Sequence, residues 1–351
     1  MTRLVVFELH HLGDAVMALP FLRAASSLYE TSVVCRPPVA ALLREITRGI
    51  GIQEISESWG TRATMARKLG LSTEDATACV WADSRAQGLM RLSGAGRRVG
   101  FPMTRENYYA PDLPWRNRRL RAGQFLSATA HLLSGGPLLT DPLQRRSPSQ
   151  SHLESWTQLA AALGFVPNFD LPWISSRSPS LPGGVEAFLR SQGDGPVLLI
   201  HPGGRLPTKR WPYFQALLER LASGAPVATV IVQPPGEEAL RSCGDHQLVV
   251  TTPDLGPLLA LFQASHTVLC NDSLPSHLAA ALGKRVVTIF GSGAPAWFAP
   301  YGNASRVIAT DICRFRPCID RCVMPSIVCL ESVTVDLVES RLTSTLAEGN
   351  L

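Results

Sequence analysis

The chain has 351 residues, a hydrophobic fraction of 45%, a charged fraction of 17% and a formal net charge of +5. That length suits two domains of roughly 150 residues each, and so apolar a composition excludes long disordered tracts. No apolar run reaches the about 20 residues of a membrane span, and the N-terminus opens directly on a core-like run. A cytoplasmic protein without a cleaved signal peptide is therefore expected.

Leu4 to Leu9 is a mostly apolar run that reads as the first strand. It leads into His10-His11-Leu12-Gly13-Asp14 and the helix-like Ala15-Val16-Met17-Ala18-Leu19-Pro20, which places an acid at the mouth of a helix. Thr31–Cys35 and Ala78–Ala82 read as further strands. Between Arg85 and Arg121 nine arginines face only Glu106 and Asp112, a local charge of +7. Such density fits either a solvated face or an anionic partner, since the guanidinium fork bonds carboxylate and phosphate oxygens in pairs. No recognition helix or aromatic–basic module accompanies it, so nucleic acid is not expected. Thr140–Ser151 reads as a surface loop, and the Pro-, Ser- and Gly-rich stretch from Leu171 to Gly184 as an interdomain connection.

In the second half, strands are expected at Val197–Ile200, Val227–Val232, Leu248–Thr251, Thr267–Cys270 and Arg285–Phe290. The first of these runs into His201-Pro202-Gly203-Gly204-Arg205-Leu206-Pro207-Thr208-Lys209-Arg210-Trp211-Pro212. That loop opens a helix over Tyr213–Ala222 with Pro212 at its first position. Glu237 and Glu238 follow the second strand, where a carboxylate can accept ribose hydroxyls or simply start a solvated helix. Thr267–Cys270 ends in the turn Asn271-Asp272-Ser273, after which Ser276 stands as an N-cap and Gly283 as a stop. The N-terminus of such a helix is a ready anion site. Three strand–loop–helix units with polar loops place a site at the carboxyl ends of parallel strands. Ser332–Leu346 reads as a final helix.

Cys313, Cys318, Cys322 and Cys329 fall within 17 residues, without the paired C-x2-C knuckles of ordinary zinc sites. Cys35, Cys79, Cys243 and Cys270 are scattered and read as small core hydrophobes.

Several of these segments together resemble glycosyltransferase family 9, the ADP-heptose:lipopolysaccharide heptosyltransferases. The resemblance is carried by Gly13-Asp14 with Leu19-Pro20, by His201-Pro202-Gly203 with Lys209-Arg210-Trp211-Pro212, and by Asn271-Asp272-Ser273 with His277–Gly283. Phe290-Gly291, Pro295 and Pro300-Tyr301-Gly302 complete it, so that it spans nearly the whole chain in order. It implies an α/β architecture of the GT-B type, two Rossmann-like domains facing each other across a cleft. Residues 1–172 would form the acceptor domain, 173–184 the linker and 185–330 the nucleotide-sugar domain with its Cys-rich segment at 313–329. Residues 331–351 would form a helix returning to the first domain.

The implied activity is inverting transfer of a heptose from ADP-heptose to a hydroxyl of an anionic acceptor such as the lipopolysaccharide inner core, at or near the inner membrane surface. Asp14 would be the base, although the same carboxylate can serve as a helix cap. Lys209 would meet the charge growing on the diphosphate. Gly13, Thr208, Asp272, Ser273, Ser276 and His277 would bind the donor, with one of Glu237 and Glu238 on the ribose. Catalysis would need no metal. The resemblance extends to the Cys-rich segment, for which Cys313, Cys318, Cys322 and Cys329 could hold a structural zinc or iron, remain reduced thiols or form disulfides. Leu274 departs from the family's glycine, and with Pro275 is expected to reshape the turn. Two other readings stand beside this one: a relative that glycosylates a protein or small metabolite or uses another nucleotide sugar, and a nucleotide-binding protein without transfer activity.

Overall fold

The computed structural model describes residues 1–8, 11–55, 58–134, 136–174, 180–233, 239–251, 254–319 and 321–348. Its two units, Met1–Asp170 and Leu171–Leu351, each surround a six-stranded sheet. The first sheet contains β1 (Arg3–Glu8), β2 (Glu30–Cys35), β3 (Gly51–Glu54), β4 (Ala76–Cys79), β5 (Arg97–Gly100) and β6 (Asp141–Pro142). They lie in the order β3-β2-β1-β4-β5-β6, and every pairing is parallel. The second sheet contains β7 (Val197–His201), β8 (Ala228–Gln233), β9 (Gln247–Thr251), β10 (Thr267–Asn271), β11 (Arg285–Ile289) and β12 (Val307–Ile308). Its order is β12-β11-β10-β7-β8-β9, again all parallel. Both sheets thus follow the Rossmann order, which reverses beside the first strand of each unit.

Central parallel strands are covered on both faces, so they read as unbroken apolar runs. Leu4, Val5, Val6 and Phe7 of β1 and Val268, Leu269 and Cys270 of β10 are all buried. The runs expected from sequence became these strands. The short strands β3, β5, β6 and β12 were missed because they lack such runs. β5 begins with two arginines; the Arg98 side chain is buried and donates to the carbonyls of Leu138 and Ala95 at 2.8 and 2.7 Å. β6 falls in the segment expected to be a loop, and its Pro142 is tolerated because an edge strand can spare a donor.

Two helix starts also moved. The helix expected from Tyr213 begins at Phe214, with Tyr213 as its N-cap, so Pro212 lies outside it. The helix after β10 runs Leu274–Ala281 with Ser273, not Ser276, at the N-cap, because Pro275 is pre-set for the first turn. Gly283, with φ of 78°, ends it as expected.

The last helix, Val335–Ala347, packs in the core of the second unit. Its buried Val338 and Leu342 lie beside Leu198, Ile200, Trp211 and Leu269. Trp173 is likewise held in the second unit, by its N–H on the Ala281 carbonyl at 2.7 Å and its ring 5.0 Å from that of Tyr301. No helix among the described residues is long and apolar enough to cross a membrane.

Candidate functional site

The expected residues gather at the carboxyl ends of β1 and of β7 and β10, where each strand order reverses. In the first unit, Gly13 and Asp14 occupy the first turn of the helix Leu12–Met17. Asp14 is buried, and its Oδ2 accepts the His11 backbone N–H at 3.2 Å. The helix-capping role is therefore real, and it fixes the carboxylate at the strand end.

Near Asp14 lies a cluster that sequence reasoning did not find. The Arg145 guanidinium stands 4.0 Å from the centre of the Tyr109 ring, and Trp81 packs against the same ring at 5.2 Å. Burial pushes the Tyr109 phenol up to about 12, against the pull of Arg145. His152 continues the stack, 4.9 Å from Trp81. These positions come from separate segments of the chain, so no local pattern announces them.

In the second unit, Lys209 Nζ and Asp272 Oδ2 form an ion pair at 2.7 Å, with the lysine side chain 20% exposed and the aspartate 3%. Thr208 and Lys209 belong to a single turn, Pro207–Lys209, closed by the Lys209 N–H on the Leu206 carbonyl at 2.9 Å. The turn is anchored from three sides. Asn271, fully buried at the end of β10, accepts the Trp211 N–H at 3.1 Å and donates its amide to the Pro202 carbonyl. The Trp211 indole N–H donates to the Val333 carbonyl at 2.8 Å. Ser292, also fully buried, meets Thr208 twice: Oγ to Oγ1 at 3.1 Å, and N–H to carbonyl at 3.2 Å.

Two glycines make this closeness feasible. A Cβ on Gly291 would lie 2.5 Å from the Thr208 carbonyl oxygen, and one on Gly293 would lie 2.2 Å from Asp272 Oδ2. Phe290-Gly291 stood among the motifs, but nothing in the sequence marked Ser292 or Gly293 as partners of the lysine loop.

The helix after β10 contributes fewer donors than expected. Pro275 has no N–H, and the Ser276 N–H and hydroxyl are both directed to the Ser273 carbonyl, at 3.1 and 2.7 Å. Ser273 Oγ lies 3.4 Å from the Gly203 carbonyl, which ties the turn to the loop after β7. Leu274 takes an ordinary helical conformation and is not among the residues with positive φ. The turn is thus absorbed into the helix start without strain.

Burial pushes His277 down to about 4, with Asp272 opposing and Lys209 reinforcing the shift. Burial likewise lowers His201, at the end of β7, to about 4. Both imidazoles are neutral at pH 7. Glu237 and Glu238 lie outside the described residues.

The sequence model of glycosyltransferase family 9 (heptosyltransferase) matches residues 134–325, more than half of the chain. The protein belongs to glycosyltransferase family 9. No curated protein matches it by sequence. Solved structures show the same fold at low identity. A family 9 glycosyl transferase from Veillonella parvula is 17% identical with a TM-score of 0.68, covering 99% of this chain and 98% of that one. The ADP-heptose lps heptosyltransferase II of E. coli is 18% identical with a TM-score of 0.64, covering 98% of each chain. E. coli heptosyltransferase WaaC, solved with ADP, is 15% identical with a TM-score of 0.63, covering 98% of this chain and 100% of that one.

A partly exposed ammonium sits at a strand-order reversal, in a turn whose backbone is held by Asn271 and Ser292.

The Cys-rich segment does not fit the metal that the resemblance suggested. Among the described residues no three His, Cys, Asp or Glu side chains come together as a ligand set. All eight cysteines are free thiols, so the disulfide reading does not hold in this structure. Burial and the neighbouring thiols Cys322 and Cys329 raise Cys318 to about 11, and burial raises Cys329. The segment instead reaches the lysine loop, because Ile319 exchanges both backbone groups with Ser292: its carbonyl accepts the serine hydroxyl at 2.6 Å and its N–H donates at 2.9 Å. Of the four scattered cysteines, Cys35, Cys79 and Cys270 are buried as expected, while Cys243 is exposed.

Proposed function

We propose that this family 9 glycosyltransferase transfers a heptose from ADP-heptose, with inversion, to a hydroxyl of an anionic acceptor such as the lipopolysaccharide inner core. The observation that carries the reading is Lys209, paired to Asp272 at 2.7 Å at the ends of β7 and β10. In the reaction, the acceptor oxygen attacks the anomeric carbon as the bond to the diphosphate oxygen breaks, and Asp14 takes the acceptor proton. The Lys209 ammonium and Thr208 hydroxyl meet the charge left on the diphosphate, so the reading requires no metal. Gly13, Asp272, Ser273, Ser276 and His277 frame the donor, and one of Glu237 and Glu238 takes the ribose.

Adenine specificity is supported by the fold shared with WaaC solved with ADP, and heptose by the fold shared with ADP-heptose lps heptosyltransferase II. The reading puts the protein on the cytoplasmic side of the inner membrane, in peripheral contact with it.

The test is calorimetric titration with ADP-heptose, with ADP, UDP and GDP alongside. A clear preference for the adenine ligands supports the assignment. Preference for another nucleotide would move the donor within the family, and no binding by folded protein would overturn the reading.

A further inference from the structure

The helix Pro114–Ser134 is 21 residues long, roughly 30 Å, and carries four arginines and no acid. One side faces the protein: Leu120 and Gly123 are buried, and a Cβ on Gly123 would lie 2.7 Å from the end of the Met103 side chain. The opposite side is exposed. Arg118, Phe125 and Leu132 follow one another at seven-residue intervals along it, with Arg121, Ala122 and Ala128 beside them. Phe125 is 72% exposed, Leu132 80% and the adjoining Leu126 50%. Single exposed apolar residues need no explanation, but three large ones at one end of one helix do.

Charge and apolar surface are separated along the axis rather than around it. The first half presents Arg118 and Arg121; the second presents Phe125, Leu126 and Leu132. Much of the remaining basic stretch is engaged by the fold. Arg85, Arg97 and Arg105 pair with Asp83, Asp141 and Asp112, Arg98 is buried, and Arg116 donates to the Tyr109 carbonyl. A second copy stacked in parallel would set Arg118 and Arg121 against their own counterparts with no acid between them, which disfavours self-association through this face. A surface that is both anionic and oily fits better.

We infer that this helix is a docking surface for an anionic lipid bilayer. Arg118 and Arg121 lie among the phosphate headgroups, while Phe125, Leu126 and Leu132 enter the acyl boundary. The inference rests on the proposed reading only for where the enzyme works. Binding to vesicles is measured without donor or acceptor, so its failure would leave the transfer chemistry untouched.

The experiment is co-sedimentation of the full chain with vesicles of phosphatidylglycerol and phosphatidylethanolamine, and with vesicles of phosphatidylcholine alone. Binding to the first and not the second is expected, weakening as salt rises. Replacing Arg118 and Arg121 together by Gln should lower partitioning about 30-fold. Replacing Phe125 and Leu132 by Ser should lower it at least about tenfold. Thermal midpoints should not move, since these side chains are exposed. In a separate variant, Phe125→Trp should show blue-shifted emission that brominated acyl chains quench. Failure of the wild type to bind anionic vesicles, equal binding by either double variant, or an unquenched Trp would overturn the inference. So would a concentration-dependent dimer lost on Phe125→Ser, which would assign the face to a second copy.

Discussion

Asp14 has one oxygen committed to the His11 N–H, and it sits in the first turn of a helix whose dipole favours its charge. Replacing it by Asn keeps the shape and removes the base. Under the proposed chemistry Asp14→Asn lowers kcat by about 10²- to 10⁴-fold while donor affinity, measured by calorimetry, stays unchanged. Equal loss of binding and turnover would instead mark it as structural. Lys209 poses the opposite question, because its ammonium is already held by Asp272. Under the proposed reading an incoming diphosphate has to compete with that carboxylate, so its net affinity is reduced by the cost of the exchange. Asp272→Asn should therefore tighten binding of ADP several-fold, and this gain should vanish in the Lys209→Ala background. Weaker ADP binding by Asp272→Asn would show that the carboxylate assists the phosphate site rather than competing with it.

Under the proposed reading the strand–loop–helix units carry the chemistry, and their placement was also the most legible part of the sequence. Buried apolar runs such as Leu4 to Phe7 in β1 and Val268 to Cys270 in β10 have no other stable use than a central parallel strand, so their ends could be located in advance. The positions of Asp14, Thr208, Lys209 and Asp272 just beyond strand ends were legible for that reason, whereas the roles proposed for them come from the family resemblance. What stayed hidden depends on distant packing. Arg145 reaches Tyr109 across 36 positions, and Ser292 reaches Thr208 across 84. The helix start at Leu274 was misplaced because Ser273 and Ser276 are both chemically suited to a cap, and only the backbone of Pro275 decides between them. The Gly291–Gly293 loop yields the sharpest prediction at this level. Gly293→Ala puts a methyl against Asp272 Oδ2, so it should displace the carboxylate from Lys209 and change ADP affinity several-fold, with only modest loss of stability. Unchanged affinity in a folded Gly293→Ala protein would mean that the loop yields freely.

For the molecule as a whole, acid should act on the two units in different pH windows. In the second unit, burial holds His277 and His201 at about 4 against an ordinary 6.5. The unfolded chain therefore binds more protons between those values, and stability falls as pH drops from about 6.5 to 4. In the first unit, Asp75 is drawn well below its ordinary value. Burial alone would raise it, but the backbone N–H groups of Ser72 and Arg3 and the Arg3 side chain outweigh that. Its contribution is intact above about pH 4 and lost only below. Hydrogen exchange, corrected for its intrinsic pH dependence, should show the second sheet losing protection near pH 5 while the first keeps it. Simultaneous loss would mean that other groups dominate the acid response.

Trp211 gives the lysine turn an optical handle. Its ring is buried edge-on to Phe214 at 5.1 Å, its backbone is clamped by Asn271, and Lys209 lies two positions away. A chromophore so tightly caged emits from an apolar setting, and any ligand that re-aims the neighbouring ammonium changes the local field on the indole. The difference in emission between the native chain and Trp211→Phe should therefore shift when ADP is added, giving a label-free titration of the lysine turn.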